Sequence, residues 1–218
     1  LLVAGVLLRT LGQPMADRPF MATLMAAGAW LEVGGAACFA VSVVGTTAPN
    51  AWRGEAFAPM FIAGATWFLV QAIVGALWLT ELARDGGTVL PAARSATLVG
   101  LQVFGFHLAF IVALMLHVFP TFFATRRMPQ PVVLGAGALV EAGVAAVIVA
   151  RLVTDGGGAD TWLLEGVGQV ALGVGLLWAG AMTGWWRGPW HMTRIAGRFA
   201  AILWPAMAWL AVAAALKV

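Results

Sequence analysis

SATLVGLQVFGFHLAFIVALMLHVFPTFFATRR, running from Ser95 to Arg127, decides the fold class. It opens on a serine suited to cap a helix. It then carries about 25 almost uninterrupted apolar residues, stops at Pro120 and closes on the Arg126-Arg127 pair. At 1.5 Å rise per residue, a helix of this length crosses a hydrocarbon layer of roughly 30 Å. His107 and His117, two of the three histidines in the chain, sit inside it. An ionisable side chain at membrane depth is costly, so its default reading is a functional one.

Composition points the same way. The 218 residues are 62% hydrophobic and 10% charged, against roughly 25% charged in an ordinary soluble domain. So few charges cannot cover a globular core built from that much apolar surface, and the expected solvent is lipid. The net charge of +3 comes from loop arginines beside few acids and reads as anchoring at the membrane edge. No basic run with interleaved aromatics points to nucleic acid. Cys38 is the single cysteine, which excludes an internal disulfide and a cysteine-based metal cluster. The chain has no tyrosine, hence no phenol chemistry, and no GxxxxGK[ST] phosphate loop, which disfavours an ATP-driven pump. Three histidines cannot furnish two haems and a three-imidazole copper, so the chain by itself is not a complete oxygen-reducing haem–copper centre.

The expected fold is therefore all-α, a polytopic transmembrane helical bundle with six full spans and an N-terminal span remnant. LLVAGVLL, residues 1–8, is too short to span and reads as the tail of an earlier helix, not as a signal peptide. Arg9 and a polar, turn-rich segment lead to Pro19. Spans are expected at 20–45, 56–81, the histidine stretch, 132–153, 161–185 and 195–216, the last broken by Pro205. TTAPNAWRGE, the Arg84–Arg94 segment, MPQP, DGGGAD and WWRGPWHMTR are the expected loops. Lys and Arg divide equally between the two sides, six each, so orientation leans only on placing Arg126, Arg187, Arg194 and Arg198 in the cytoplasm.

The chain repeats itself. Ala27-Gly28-Ala29, Glu32, Gly34, Ala36 and Ala37 recur as Ala136-Gly137-Ala138, Glu141, Gly143, Ala145 and Ala146. Val74-Gly75 and Leu77-Trp78 recur as Val174-Gly175 and Leu177-Trp178. The shared order argues for a duplicated three-helix unit with inverted topology, because an odd number of helices reverses the second copy. The organisation expected is a tail and loop at 1–19, a first unit at 20–127 and a second at 128–218, all one integral membrane domain. Gly and Ala are also common on helix-packing faces.

Four residues stand out as site candidates. His107 and His117 lie ten residues apart, about 15 Å along a helix and about 80° around it. They cannot chelate one metal together, because a shared site needs a spacing of three or four. Each is a candidate haem or copper ligand with partners from other helices. The plainer alternative is an imidazole hydrogen-bonded to a carbonyl, Glu32 or Glu141. Glu32 and Glu141 lie near the midpoints of repeat-related helices. They suit a proton or cation site of the kind found in inverted-repeat carriers, or a protonated carboxyl bonding across helices. His191 and the tryptophans Trp185, Trp186 and Trp190 suit a headgroup-level belt. The scattered Met25, Met115 and Met207 suit packing or a soft copper path.

The histidine helix and the last loop resemble NnrS, a family of polytopic bacterial membrane proteins associated with haem, copper and nitric oxide stress. Phe119-Pro120-Thr121-Phe122-Phe123-Ala124-Thr125-Arg126 is similar to that family's proline–phenylalanine–threonine–arginine helix exit. Trp185-Trp186-Arg187-Gly188-Pro189-Trp190, leading through Ile202-Leu203-Trp204 to Ala208-Trp209-Leu210-Ala211, carries the rest. Trp204 stands where the family tends to place a histidine, and the family's histidine-rich segments are absent. The resemblance covers about half the chain. It implies haem b or copper as cofactor, the bacterial cytoplasmic membrane as location, and a longer protein of which this chain is a fragment, or a relative that has lost metal sites.

Three functions follow as expectations. The first is a haem- or copper-associated protein of nitrogen-oxide or respiratory electron-transfer metabolism, with His107 and His117 as ligands. The second is a cofactor-free structural subunit of a larger membrane electron-transfer or photosynthetic complex, packed against partner subunits. The third is a small-solute or proton carrier using Glu32 and Glu141. Lipid is the partner common to all three.

Overall fold

The computed structural model describes residues 1–55, 57–122, 129–155 and 161–183. They are helical, with no strand among them. Helix α1 is Leu2–Gly12, followed by a short 3-10 turn at Gln13–Met15. Helix α2 is Pro19–Trp52 and α3 is Phe57–Arg84. Helix α4, Ala92–Gly100, runs through a π-helical segment, Leu101–His107, into α5, Leu108–Phe122. Helices α6, Gln130–Asp155, and α7, Trp162–Thr183, complete the described chain.

By length and composition, four of these rods can cross a membrane: α2, α3, the continuous α4–α5 rod and α6. Only 17% of the most apolar window of α2 is buried by the rest of the chain. Water would not tolerate that surface, so lipid covers it. This is an integral membrane protein. The expected count of six full spans needs correction, since α7 carries only a shorter apolar stretch, Trp162–Trp178, among the described residues. The expected span at 195–216 lies outside the described residues.

The helix limits also differ from expectation, for local reasons. The polar TTAPN continues α2 to Trp52 with Pro49 inside it. The hydroxyls of Thr46 and Thr47 donate to the carbonyls of Ser42 and Val43, at 2.9 and 2.6 Å, so these side chains satisfy themselves on the helix. Gly54 then ends the helix at φ +81°, with the Glu55 N–H returning to the Asn50 carbonyl at 2.9 Å. α3 ends the same way: Gly86 at φ +68° lets the Gly87 N–H reach the Leu82 carbonyl at 3.0 Å. Both are glycine C-caps of the Schellman type. Ser95 is not a cap. Helix α4 begins earlier, after Pro91, and the Ser95 N–H donates to the Pro91 carbonyl. Pro120 does not stop α5, which runs on to Phe122.

The described chain packs as two units. The first gathers Leu1–Pro49 and Phe61–Ala109. In it α1 folds back along α2 on glycines. A Cβ at Gly5 would lie 2.7 Å from the Gly28 carbonyl oxygen, one at Gly12 2.6 Å from that of Met21, and one at Gly35 2.7 Å from the Leu2 nitrogen. Gly5 and Gly12 are seven residues apart, as are Gly28 and Gly35, so both helices present small residues at matched intervals and their backbones touch. α1 is thus packed against α2 along its length. Ala16, Ala22, Met25, Ala29, Ala76 and Leu79 bury the adjoining core. Farther along, Phe39, Phe68 and Phe106 meet with centroids 4.8 to 6.0 Å apart.

The second unit gathers Asn50–Met60 and the described part of Phe110–Val218. Its α6–α7 hairpin also closes on glycine: a Cβ at Gly143 would sit 2.6 Å from the Gly168 oxygen and from the Leu172 nitrogen. Arg151 and Glu165 pair across the hairpin at 2.9 Å, and the Thr161 hydroxyl donates to the Ala150 carbonyl. Glycines matched by the sequence repeat meet different neighbours. A Cβ at Gly75 would lie 3.7 Å from the Leu98 side chain of α4, whereas one at Gly175 would meet the Val140 and Ala136 backbone of α6.

Candidate functional site

Glu32 lies thirteen residues into α2, about 20 Å from the helix start. A carboxylate there needs a partner, and α1 supplies one. The Arg9 guanidinium donates from Nε to Glu32 Oε1 at 2.6 Å, with the two side chains 32% and 20% exposed. A charge-assisted bond of that length is among the stronger polar contacts available to a protein. Glu32 therefore pairs with Arg9 of α1, and not with an imidazole, among the contacts described. Arg9 belongs to α1 and not to the expected loop.

The pair borders a cavity of about 110 Å³ in the first unit. Gln13 and Gln71 add polar groups, and Ala72, Gly75, Ala76 and Leu79 form apolar walls. Gln13 Nε2 donates to the Thr88 carbonyl at 3.4 Å, which ties the turn after α1 to the loop after α3. Gln71 Oε1 is buried and receives no hydrogen bond. A buried acceptor left without a donor is rare enough to require a reason. Arginine, glutamate and two glutamines around one small space form a polar site inside an otherwise apolar bundle.

Sequence reasoning found Glu32 and missed Arg9, Gln13 and Gln71. The missed signal was the glycine spacing: Gly5 and Gly12 against Gly28 and Gly35 imply that residues 1–12 lie on α2, which brings Arg9 level with Gly28 and Glu32.

The other candidates are placed apart. His107 is exposed at the end of the π-helical segment, with Nδ1 2.7 Å from the Gln102 carbonyl oxygen. A carbonyl only accepts, so Nδ1 carries a proton and donates it there. The wider turn is what lets a side chain reach the carbonyl five residues back. Beneath it, Gly105 allows the close approach of Trp67, whose Cβ would lie 2.8 Å from an added Cβ. His117, in the second unit, is exposed and lies against Phe57 with ring centroids 4.3 Å apart and planes tilted by 51°. Glu141 is half-buried on α6, its Oε1 shielded from the surface. Among the described residues no three His, Cys, Asp or Glu side chains gather as a metal-binding group. Cys38 is exposed on α2. His191, the Trp185–Trp190 belt, Trp204 and the Arg126-Arg127 pair lie outside the described residues, as does most of the sequence that resembles NnrS.

No family model, curated protein or solved structure matches the chain.

Proposed function

We propose that the chain is a membrane carrier or channel component that passes protons or a small polar solute by way of the Arg9–Glu32 site. The observation that carries this reading is a half-buried ion pair inside an apolar bundle, beside a cavity and a glutamine oxygen with no donor. Ionisable groups at such depth mark solute and proton paths. Uncompensated charge would not persist there, and an apolar pair would serve packing as well. The test is flux into vesicles containing the purified full chain. Glu32→Gln abolishes it and Glu32→Asp retains part of it. Equal flux in all three proteins would defeat the reading. A duplicated, inverted three-helix unit would make Glu141 the counterpart of Glu32, and the matched residues around both glutamates support it.

A second reading has its own observation. His107 is exposed and its Nδ1–H is held by a backbone carbonyl, the arrangement common in metal-ligating imidazoles. An imidazole held in this way would supply one axial ligand to a haem. Together with the resemblance to NnrS, this supports a haem-associated protein of the bacterial cytoplasmic membrane. A Soret band on purified protein, lost in His107→Ala and kept in Glu32→Gln, is the expected result. A colourless preparation from haem-replete cells rejects it.

A further inference from the structure

We infer that the Arg9–Glu32 site is served from one membrane face only, the face bearing the Asp85–Leu90 loop, and that this loop is its lid. The inference takes that site to be the working one. Its first premise is where the cavity lies along the helices. Glu32 is thirteen residues from Pro19 at the start of α2, and Gln71 is thirteen from Arg84 at the end of α3. Those two ends coincide, because Ala22 and Met25 share a buried cluster with Ala76 and Leu79. Glu32 and Gln71 therefore both lie about 20 Å below the same end of the first unit. Among the described residues they are the deepest lining positions on α2 and α3, and the cavity rises from them past Leu79 to Gln13 and Leu90. Asp17, Arg18, Arg84 and Asp85 are exposed around that end, which places it at water.

The second premise is the opposite end. Phe68, three residues before Gln71 on α3, meets Phe39 of α2 and Phe106 of the π-helical segment with centroids 4.8 to 6.0 Å apart. These rings form an apolar floor between α2, α3 and the α4–α5 rod, and Gln71 Oε1, one turn away, is already shielded from water. A polar solute would have to shed its hydration to pass there. The third premise is the weakness of the cover. Among the described residues, Thr88, Val89 and Leu90 make a single hydrogen bond, accepted by the Thr88 carbonyl from Gln13 Nε2 at 3.4 Å. That is long for an N–H···O bond. Helices in backbone contact on glycine do not part locally, whereas a loop held by one long bond opens readily. Gln13 is thus the latch of the lid, and Leu90 lines the cavity beneath it.

The test reads thiol accessibility in sealed vesicles holding the full chain, with Cys38→Ser so that each introduced cysteine is alone. Ala72→Cys, on the cavity wall, reports the entry of silver ion, a small thiol-binding probe, as protection from later alkylation in denaturant. Asp85→Cys and Glu55→Cys, beyond opposite ends of α3, identify the two faces with a membrane-impermeant maleimide. Silver is expected to reach Ala72→Cys from the Asp85 face and not from the Glu55 face. Adding Gln13→Ala should raise that rate about fivefold, the scale of one neutral hydrogen bond. Leu98→Cys, on the same cavity wall, repeats the measurement if Ala72→Cys lowers the thermal midpoint. Silver that arrives from both faces, from the Glu55 face alone or from neither overturns the route. A rate indifferent to Gln13→Ala overturns the lid. Glu32-dependent flux beside either of those results leaves the function proposed above standing. One-sided, Gln13-dependent entry with no Glu32-dependent flux supports the route and defeats that function.

Discussion

Glu32 can remain charged within an apolar helix because one hydrogen bond from Arg9 meets it, and the energetics of that pair are open to measurement. The side chains are partly exposed, at 32% and 20%, so the pair belongs between a surface ion pair, about 0–1 kcal/mol, and a fully buried one. Truncating one partner strands the other: Arg9→Met or Glu32→Leu should each cost about 1–3 kcal/mol, in the range for hydrogen bonds to charged groups. The double variant Arg9→Met with Glu32→Leu removes both charges and should be more stable than either single variant. Thermal unfolding in detergent, arranged as a double-mutant cycle, reads the difference. Strictly additive losses would mean that the two residues do not act as a pair. His107 illustrates a subtler dependence. Its position in an apolar stretch was evident from sequence, but the proton on its Nδ1 is set by the Gln102 carbonyl, which only the π-helical turn brings within reach.

At the level of elements, glycine does two separate jobs that look alike in sequence. Gly28 permits contact, since an added Cβ would lie 2.5 Å from the Arg9 nitrogen and 2.7 Å from the Gly5 oxygen. Gly45, on the same helix, has nothing within 4 Å. Backbone atoms cannot yield, so Gly28→Ala forces α1 away from α2 and takes Arg9 with it. Gly45→Ala removes only the intrinsic penalty of glycine in a helix. The first should lower the thermal midpoint and the second should stabilise by up to about 1 kcal/mol. Equal effects from the two substitutions would show that α1 is not packed on α2 as described. Gly86 was easier to foresee, because it follows a long apolar run and stands in the expected Arg84–Arg94 loop. The extension of α2 through Thr46, Thr47 and Pro49 was harder, because those residues signal a loop in water and satisfy themselves on the helix here.

For the molecule as a whole, helix lengths make a topological prediction. α3 is 28 residues long, about 42 Å, and connects the Arg53–Glu55 turn to the Asp85–Leu90 loop. Glu55→Cys and Asp85→Cys should therefore react with a membrane-impermeant maleimide from opposite sides of a sealed vesicle. The native Cys38 is exposed on α2, where lipid and not water surrounds it, and should stay unlabelled. Labelling of both introduced cysteines from one side would contradict a spanning α3, and rapid reaction of Cys38 would contradict a lipid-covered α2. The described chain divides its packing into two units that do not coincide with the sequence repeat, and repeat-matched glycines keep different company.

What the sequence determined by itself was the solvent and the class of fold. With 62% hydrophobic and 10% charged residues, the chain must place most of its surface in lipid, and in lipid a backbone that satisfies itself locally is helical. It also singled out Glu32 and His107, because a lone ionisable group stands out in an apolar run. Only the tertiary structure decided the partners. Arg9 and Glu32 are 23 residues apart and meet because four glycines let α1 lie against α2. Gln71 joins them from a third helix. Hydrophobicity along a chain reveals what a residue must avoid, whereas the identity of its neighbour depends on how closely two backbones approach, and that is a property of the packed helices.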